Sequence, residues 1–215
     1  MNAINYLKFD FRIIKGNLKY YSLFFIAFAI SMLYSENNIN AMSYLFFVLI
    51  IVAILPFSSE GNKKSTEMYY MFPSKTSSMV MGRFLYLIIL NIIVWVIEIS
   101  TMIHFYNIGS IEMSEIILIC FAGIIATIVC MIQYSVYYKF GMEKGRAILM
   151  LVYMVPAFFI FALPSILSER TIPNNILNLM IANKTIIGIT SIITIIVVGA
   201  ISYLISCYIC ENKDV

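Results

Sequence analysis

Six stretches of this 215-residue chain contain no Asp, Glu, Lys or Arg: 20–35, 37–59, 84–97, 116–138, 147–168 and 185–210. A helix rises 1.5 Å per residue, so about 20 apolar residues cross the roughly 30 Å of hydrocarbon in a bilayer. Most of the runs reach that length. The third is cut by Glu98, but apolar residues continue to Tyr106. The pattern predicts six helical spans at 20–36, 41–58, 82–106, 114–138, 147–165 and 185–208. Composition agrees. The chain is 62% hydrophobic and 12% charged, with mean hydropathy +0.94, against about 45–50% apolar and about 25% charged in a soluble domain. So little charge cannot cover a globule in water. A soluble enzyme, a disordered protein and a nucleic-acid-binding domain are excluded. The expected fold is an all-α integral membrane protein, one six-span domain over 1–215, with no room for a large soluble domain.

An even number of spans places both termini on one side, and the basic residues say which side. With the termini in the cytosol, twelve of the fourteen Lys and Arg residues fall inside. They lie before span 1 (Lys8, Arg12, Lys15, Lys19), between spans 2 and 3 (Lys63, Lys64, Lys75, Arg83), between spans 4 and 5 (Lys139, Lys144, Arg146) and in the tail (Lys213). Only Arg170 and Lys184 fall outside. A net charge of +3 is too small to imply a polyanionic partner. Over residues 1–19, Ile4, Leu7, Phe11, Ile14 and Leu18 recur at helical spacing, with the four basic residues in a second stripe beside them. This predicts an amphipathic helix lying on the anionic inner surface of the membrane. The chain start does not read as a secretory signal, because no small-residue cleavage site accompanies it.

The connections differ in length. Residues 36–40 and 107–110 form tight outer turns. The inner connection from about 58 to 81 is the longest cytosolic element. An external loop or helix is expected over 166–184, where Pro173 precedes an apolar face of Ile176, Leu179 and Met180. Tyr20, Tyr21, Tyr69, Tyr70, Tyr134, Tyr137, Tyr138 and Tyr208 cluster at the inner boundary, as in an interfacial aromatic belt.

Few residues suit chemistry. The one histidine, His104, cannot build a multi-histidine metal site or an H-E-x-x-H motif. Cys120, Cys130, Cys207 and Cys210 lie in apolar runs and read as small buried hydrophobes. No G-x-x-x-x-G-K-[ST] loop occurs, so no ATP is expected on this chain by that route. No catalytic residue, metal ligand or cofactor of its own is expected. Gly141 and Gly145 have the spacing of a membrane helix contact, but their charged surroundings read as a turn. Glu98 is the one ionisable residue well inside a span. A carboxyl there marks a polar point on a substrate path, a gating contact, a protonated or hydrogen-bonded interhelical contact, or a residue reaching the outer interface. Gln133 is a lesser candidate, and interhelical hydrogen bonding is its expected role.

The inner connection is the most informative segment. Ser58 and Ser59 can cap a short polar helix over 59–72, and Pro73 ends it. Tyr69, Tyr70 and Phe72 suit either a partner-facing knob or rings resting on the interface. The order Glu60-x-x-Lys63, polar helix, Phe72-Pro73-Ser74-Lys75 and then Gly82-Arg83 opening the next span resembles the type-2 permease family of ATP-binding-cassette exporters. In that family an acidic residue ends span 2, a "leu-pro-small-basic" stretch follows, and a glycine-basic pair begins span 3. Phe72 stands here in place of the usual leucine, and Arg83 in place of the more usual lysine. The short, Ile/Asn/Lys-rich chain is most similar to permease subunits of staphylococcal-type exporters of amphipathic toxin peptides.

The resemblance implies a bacterial cytoplasmic membrane protein that is not an enzyme. It would pair with an identical or related permease chain, and separate ATPase subunits would bind ATP and Mg. It also implies an amphipathic peptide or other hydrophobic substrate. The coupling helix with Glu60, Lys63, Lys64, Glu67, Tyr69, Tyr70, Phe72, Pro73 and Lys75 would contact an ATPase, with Lys139, Glu143, Lys144 and Arg146 as a second contact. The competing expectation is a small non-transporting membrane protein, such as a self-protection or assembly factor, with no ATPase partner. An intramembrane enzyme lacks the constellation it would need.

Overall fold

The structure is a computed structural model describing residues 3–15, 26, 38–58, 75–157 and 184–212. Among the described residues all regular structure is helical: α1 (Ala3–Lys15), α2 (Asn38–Ala53), α3 (Leu55–Ser58), α4 (Thr76–Ile108), α5 (Met113–Ala157) and α6 (Lys184–Glu211). Three helices there are long and apolar enough to cross a membrane: Thr76–Ile108, Glu115–Gly141 and Thr185–Glu211. They coincide with the third, fourth and sixth expected spans. Tyr44–Phe57 is a shorter apolar helix at the second. The first span, the 59–72 helix and the external element at 166–184 lie outside the described residues.

Helix α4 ends at Gly109, whose φ of 76° only glycine adopts readily; its N–H turns back to Tyr106 O, and that of Ser110 to Phe105 O. Helix α5 starts where the Glu115 carboxylate accepts from the Glu112 N–H at 2.8 Å, half of a capping box. Where a connection was expected between the fourth and fifth spans, α5 is broken at a single residue. Gly141 takes φ 72° and ψ −179°, and helix continues on both sides.

Pro56 interrupts the second apolar run. It has no N–H, so Val52 O loses its helical donor. The break spreads: Ile54 N–H turns to Ile51 O and Phe57 N–H to Ile54 O, which withdraws the helical donors of Ile50 O and Ala53 O. Bare carbonyls in an apolar surrounding are costly. Each is met by a side chain from a neighbouring helix. Tyr86 of α4 donates to Val52 O at 3.2 Å, while Tyr134 and Gln133 of α5 donate to Ala53 O at 2.9 Å and Ile50 O at 3.5 Å. The break therefore bolts α2 to both long helices.

Helices α5 and α6 are joined by hydroxyls. Ser135 lies 2.8 Å from the Ser202 hydroxyl and 3.3 Å from that of Ser206, and Ser202 donates to Met131 O. Away from this clasp, α4, α5 and α6 diverge around an elongated cavity of about 850 Å³. Trp95 of α4 closes its back wall, donating to Thr127 of α5 at 3.2 Å and lying 5.2 Å from Phe46 of α2.

If the tyrosine hydroxyls serve the carbonyls freed by Pro56, Tyr86→Phe and Tyr134→Phe each lose about 1–3 kcal/mol. Pro56→Ala allows the helix to close and makes both substitutions less damaging. Thermal unfolding in detergent, with each tyrosine substitution measured alone and combined with Pro56→Ala, reads this directly.

Candidate functional site at the basic end

One end of the array gathers α1, the α3 end, the α4 start, the α5 kink and the α6 end. Gly82 marks where α1 crosses α4. A Cβ at Gly82 would lie 2.5 Å from Tyr6 Cβ and 2.9 Å from Ala3 O, so only glycine admits this approach. At the other side of the α4 start, Thr76 donates to Glu211 of α6 at 3.4 Å, and Tyr203 reaches Ser77 O at 3.5 Å. Lys8, Arg12, Lys15, Lys75, Lys139 and Lys144 are exposed at this end. The sequence position of Lys184 opens α6 at the opposite end.

Helix α1 has three faces rather than the two its sequence suggests. Tyr6, Asp10 and Ile14, four residues apart, are buried against the protein. Ile4 and Phe11 of the expected apolar stripe remain exposed, next to the basic face. Phe11 also meets Tyr86 edge-on at 5.4 Å.

Behind Gly82, Arg83 is fully buried. Its guanidinium carbon lies 4.4 Å from the Phe57 ring centroid and 5.4 Å from that of Tyr138. Phe57, carried inward by the Pro56 break, stacks on Tyr137 at 5.2 Å and meets Tyr134 and Tyr138 edge-on at 5.0 and 5.1 Å. Tyr134 also takes Phe84 edge-on at 5.4 Å. Asp10 is fully buried too, within electrostatic reach of Tyr134. Arg83 and Asp10 are thus buried on two crossing helices, the guanidinium inside a shell of rings. A desolvated cation over aromatic faces is held by about 2 kcal/mol or more. Beyond the Gly141 kink, Gly145 packs on the Tyr137 ring, where an added Cβ would come within 2.9 Å.

Tyr134, Tyr137 and Tyr138 are therefore not belt residues at the membrane interface. They are buried inside the protein, whereas Tyr208 is exposed as a belt residue would be.

Of the residues singled out for coupling, Glu60, Lys63, Lys64, Glu67, Tyr69, Tyr70, Phe72 and Pro73 lie outside the described residues. Their flanks do not: Phe57 precedes that segment, Lys75 sits exposed at its close, and Arg83 follows two turns later. Lys139 lies exposed with its ammonium 5.4 Å from the Phe140 ring centroid. Lys144 is exposed past the kink, and Glu143 and Arg146 lie on the same stretch of helical backbone.

The structure separates Glu98 from Gln133. Gln133 belongs to the basic end through Ile50 O. Glu98 is fully buried in the other half of α4, within electrostatic reach of Cys120 on α5. The Thr101 hydroxyl lies beside the carboxyl and donates to the Glu98 backbone carbonyl at 2.8 Å. Glu98 is not part of the cavity lining. Among the described residues no three His, Cys, Asp or Glu side chains come together as a metal site. Cys120, Cys130 and Cys207 form no disulfide.

Asp10 and the hydroxyl clasp were not visible as site residues in the sequence. The i, i+4 pattern Tyr6-Asp10-Ile14 was the available signal for Asp10, and the spacing of Ser202 and Ser206 that for the clasp.

The array is a set of apolar helices with a buried cation near one end, where exposed basic residues also gather. A family model described as ABC-2 family transporter protein matches residues 6–211. The chain belongs to that family, whose members form the membrane permease, not the ATPase, of ATP-binding-cassette transporters. No curated protein and no solved structure matches it.

Two outcomes test the site. Gly82→Val pushes α1 off α4, costs about 1–3 kcal/mol as an overpacked contact does, and opens Lys8 and Arg12 to trypsin in detergent. A double-mutant cycle of Asp10→Asn and Arg83→Met gives a coupling of about 1–3 kcal/mol, because removing one charge leaves the other buried uncompensated. Additive losses would show that the two charges act apart.

Proposed function

We propose that this chain is one membrane-spanning half of an ATP-binding-cassette exporter in a bacterial cytoplasmic membrane, with both termini in the cytosol. A second permease chain, identical or related, completes the translocation path. Two separate ATPase subunits bind ATP and Mg and drive it. The substrate is an amphipathic peptide or a comparable hydrophobic compound.

The observation that carries this reading is the joining of the two flanks of the 59–74 connection. Phe57 on one side and Arg83 on the other touch each other, and Tyr134, Tyr137 and Tyr138 of α5 surround them. A push on the connection by a closing ATPase pair is passed into α2, α4 and α5 through packed rings instead of being lost in a slack loop. Such a cluster can bias a two-state arrangement of the spans. The exposed Lys139 and Lys144 stand beside it as a second contact.

The full chain, affinity-purified from its native membrane, should carry an ATP-binding-cassette ATPase identifiable by mass. Tyr69→Ala with Phe72→Ala should lower the transport-coupled ATPase rate about tenfold while leaving the amount of folded chain unchanged. Purification without any ATPase would favour the alternative, a small membrane protein of self-protection or assembly.

A further inference from the structure

We propose that the cavity between α4, α5 and α6 is a binding slot for a single hydrocarbon chain of a bilayer lipid. The inference goes beyond the permease reading and does not depend on an ATPase partner.

The shape comes first. Each helix lines the cavity with one stripe: α4 from Met81 to Ile99, α5 from Cys120 to Met131, and α6 from Gly188 to Tyr203. The α4 stripe is about 27 Å long at 1.5 Å per residue, close to the roughly 30 Å of the hydrocarbon layer. The slot runs along the three helices and has room for a flexible chain lying parallel to them.

The chemistry of the walls agrees. Polar groups on the lining residues are turned into the helices. Asn91 donates to Leu87 O at 2.9 Å and Thr127 to Gly123 O at 2.8 Å, while the Trp95 indole donates to Thr127. The Asn91 Oδ1 is itself covered. Among the described residues a polar ligand would find nothing to bond, and it would lose its hydration. Hydrocarbon loses nothing and gains dispersion contacts on several sides.

The slot is also continuous with the lipid phase. Ile92, Val96, Ile192 and Ile196 line it and are exposed at its rim. Room is left on the α6 side by Gly188, Ser191, Gly199 and Ala200, small residues among isoleucines. A Cβ added at Gly188 meets nothing within 4 Å. The basic end is closed where Phe84 and Tyr203 meet edge-on at 5.6 Å.

Trp95 is the single tryptophan of the chain and lines the slot, so it reports the occupant. The full chain is reconstituted into phosphatidylglycerol–phosphatidylcholine vesicles whose acyl chains are brominated midway, bromine being a contact quencher. The wild type should lose more than half its tryptophan emission relative to unbrominated vesicles. Gly188→Leu with Ser191→Leu fills the slot and should cut that quenching about twofold. Ile193→Phe, on the exposed face of α6 and outside the lining, should leave it unchanged. Circular dichroism checks the fold of each variant. A second measurement uses the wild type alone: native mass spectrometry of detergent-purified chain should retain one phospholipid after the micelle is stripped. An unquenched wild type, equal quenching in the filled variant, or a chain stripped bare of lipid overturns the proposal. So does quenching that falls as protein density in the vesicle rises, which assigns the slot to a second copy of this chain.

Discussion

The structure turns on a shortage of hydrogen-bond donors at one proline. Pro56 removes the donor for Val52 O, and the tightened turn around it strips Ile50 O and Ala53 O as well. Water would cover these oxygens at a protein surface. In an apolar surrounding the protein must supply the cover itself. It does so with one side chain from α4 and two from α5, so a local defect in one helix becomes the joint between three. The same break carries Phe57 to the place where Arg83 and the tyrosines of α5 close around it.

The basic end is also where the chain concentrates its risk. Asp10 and Arg83 are both withdrawn from solvent, and burying one charge without compensation is far worse than burying neither. That tension makes the docking of α1 specific: the helix must cross at Gly82 and bury Asp10 against the protein. An N-terminal helix held only by lipid headgroups would need neither the glycine nor the acid. The exposed Ile4 and Phe11 still give α1 an apolar face for the membrane, so it belongs to both phases.

The long helices could be read from the sequence because charge is so scarce that each gap between charges is a span length. Gly141 was legible as a break, since a charged stretch with glycine opposes a continuous apolar helix. The site was harder to read. Tyr134, Tyr137 and Tyr138 carry the same signal whether they face headgroups or a buried guanidinium, and only packing separates the two. Arg83 counts equally as a cytosolic charge or a core cation. The role of Gln133 followed from its polarity, but its partner did not, because the Ile50 carbonyl, six residues before Pro56, is freed by the turn from Ile51 to Ile54. The slot was invisible, since Gly188, Ser191 and Gly199 are ordinary small residues until three helices are placed around them.

The serine clasp gives α6 an uneven attachment. It is fastened to α5 through Ser202 and Ser206 and stands largely exposed from there to Lys184. That free length is about 27 Å at 1.5 Å per residue. A rod pinned near one end magnifies angle into distance, so a tilt of about 5° at the serines displaces the far tip by about 2 Å. Among the three described spans α6 is the least buried inside the protein, so that length is the one most open to the bilayer around it.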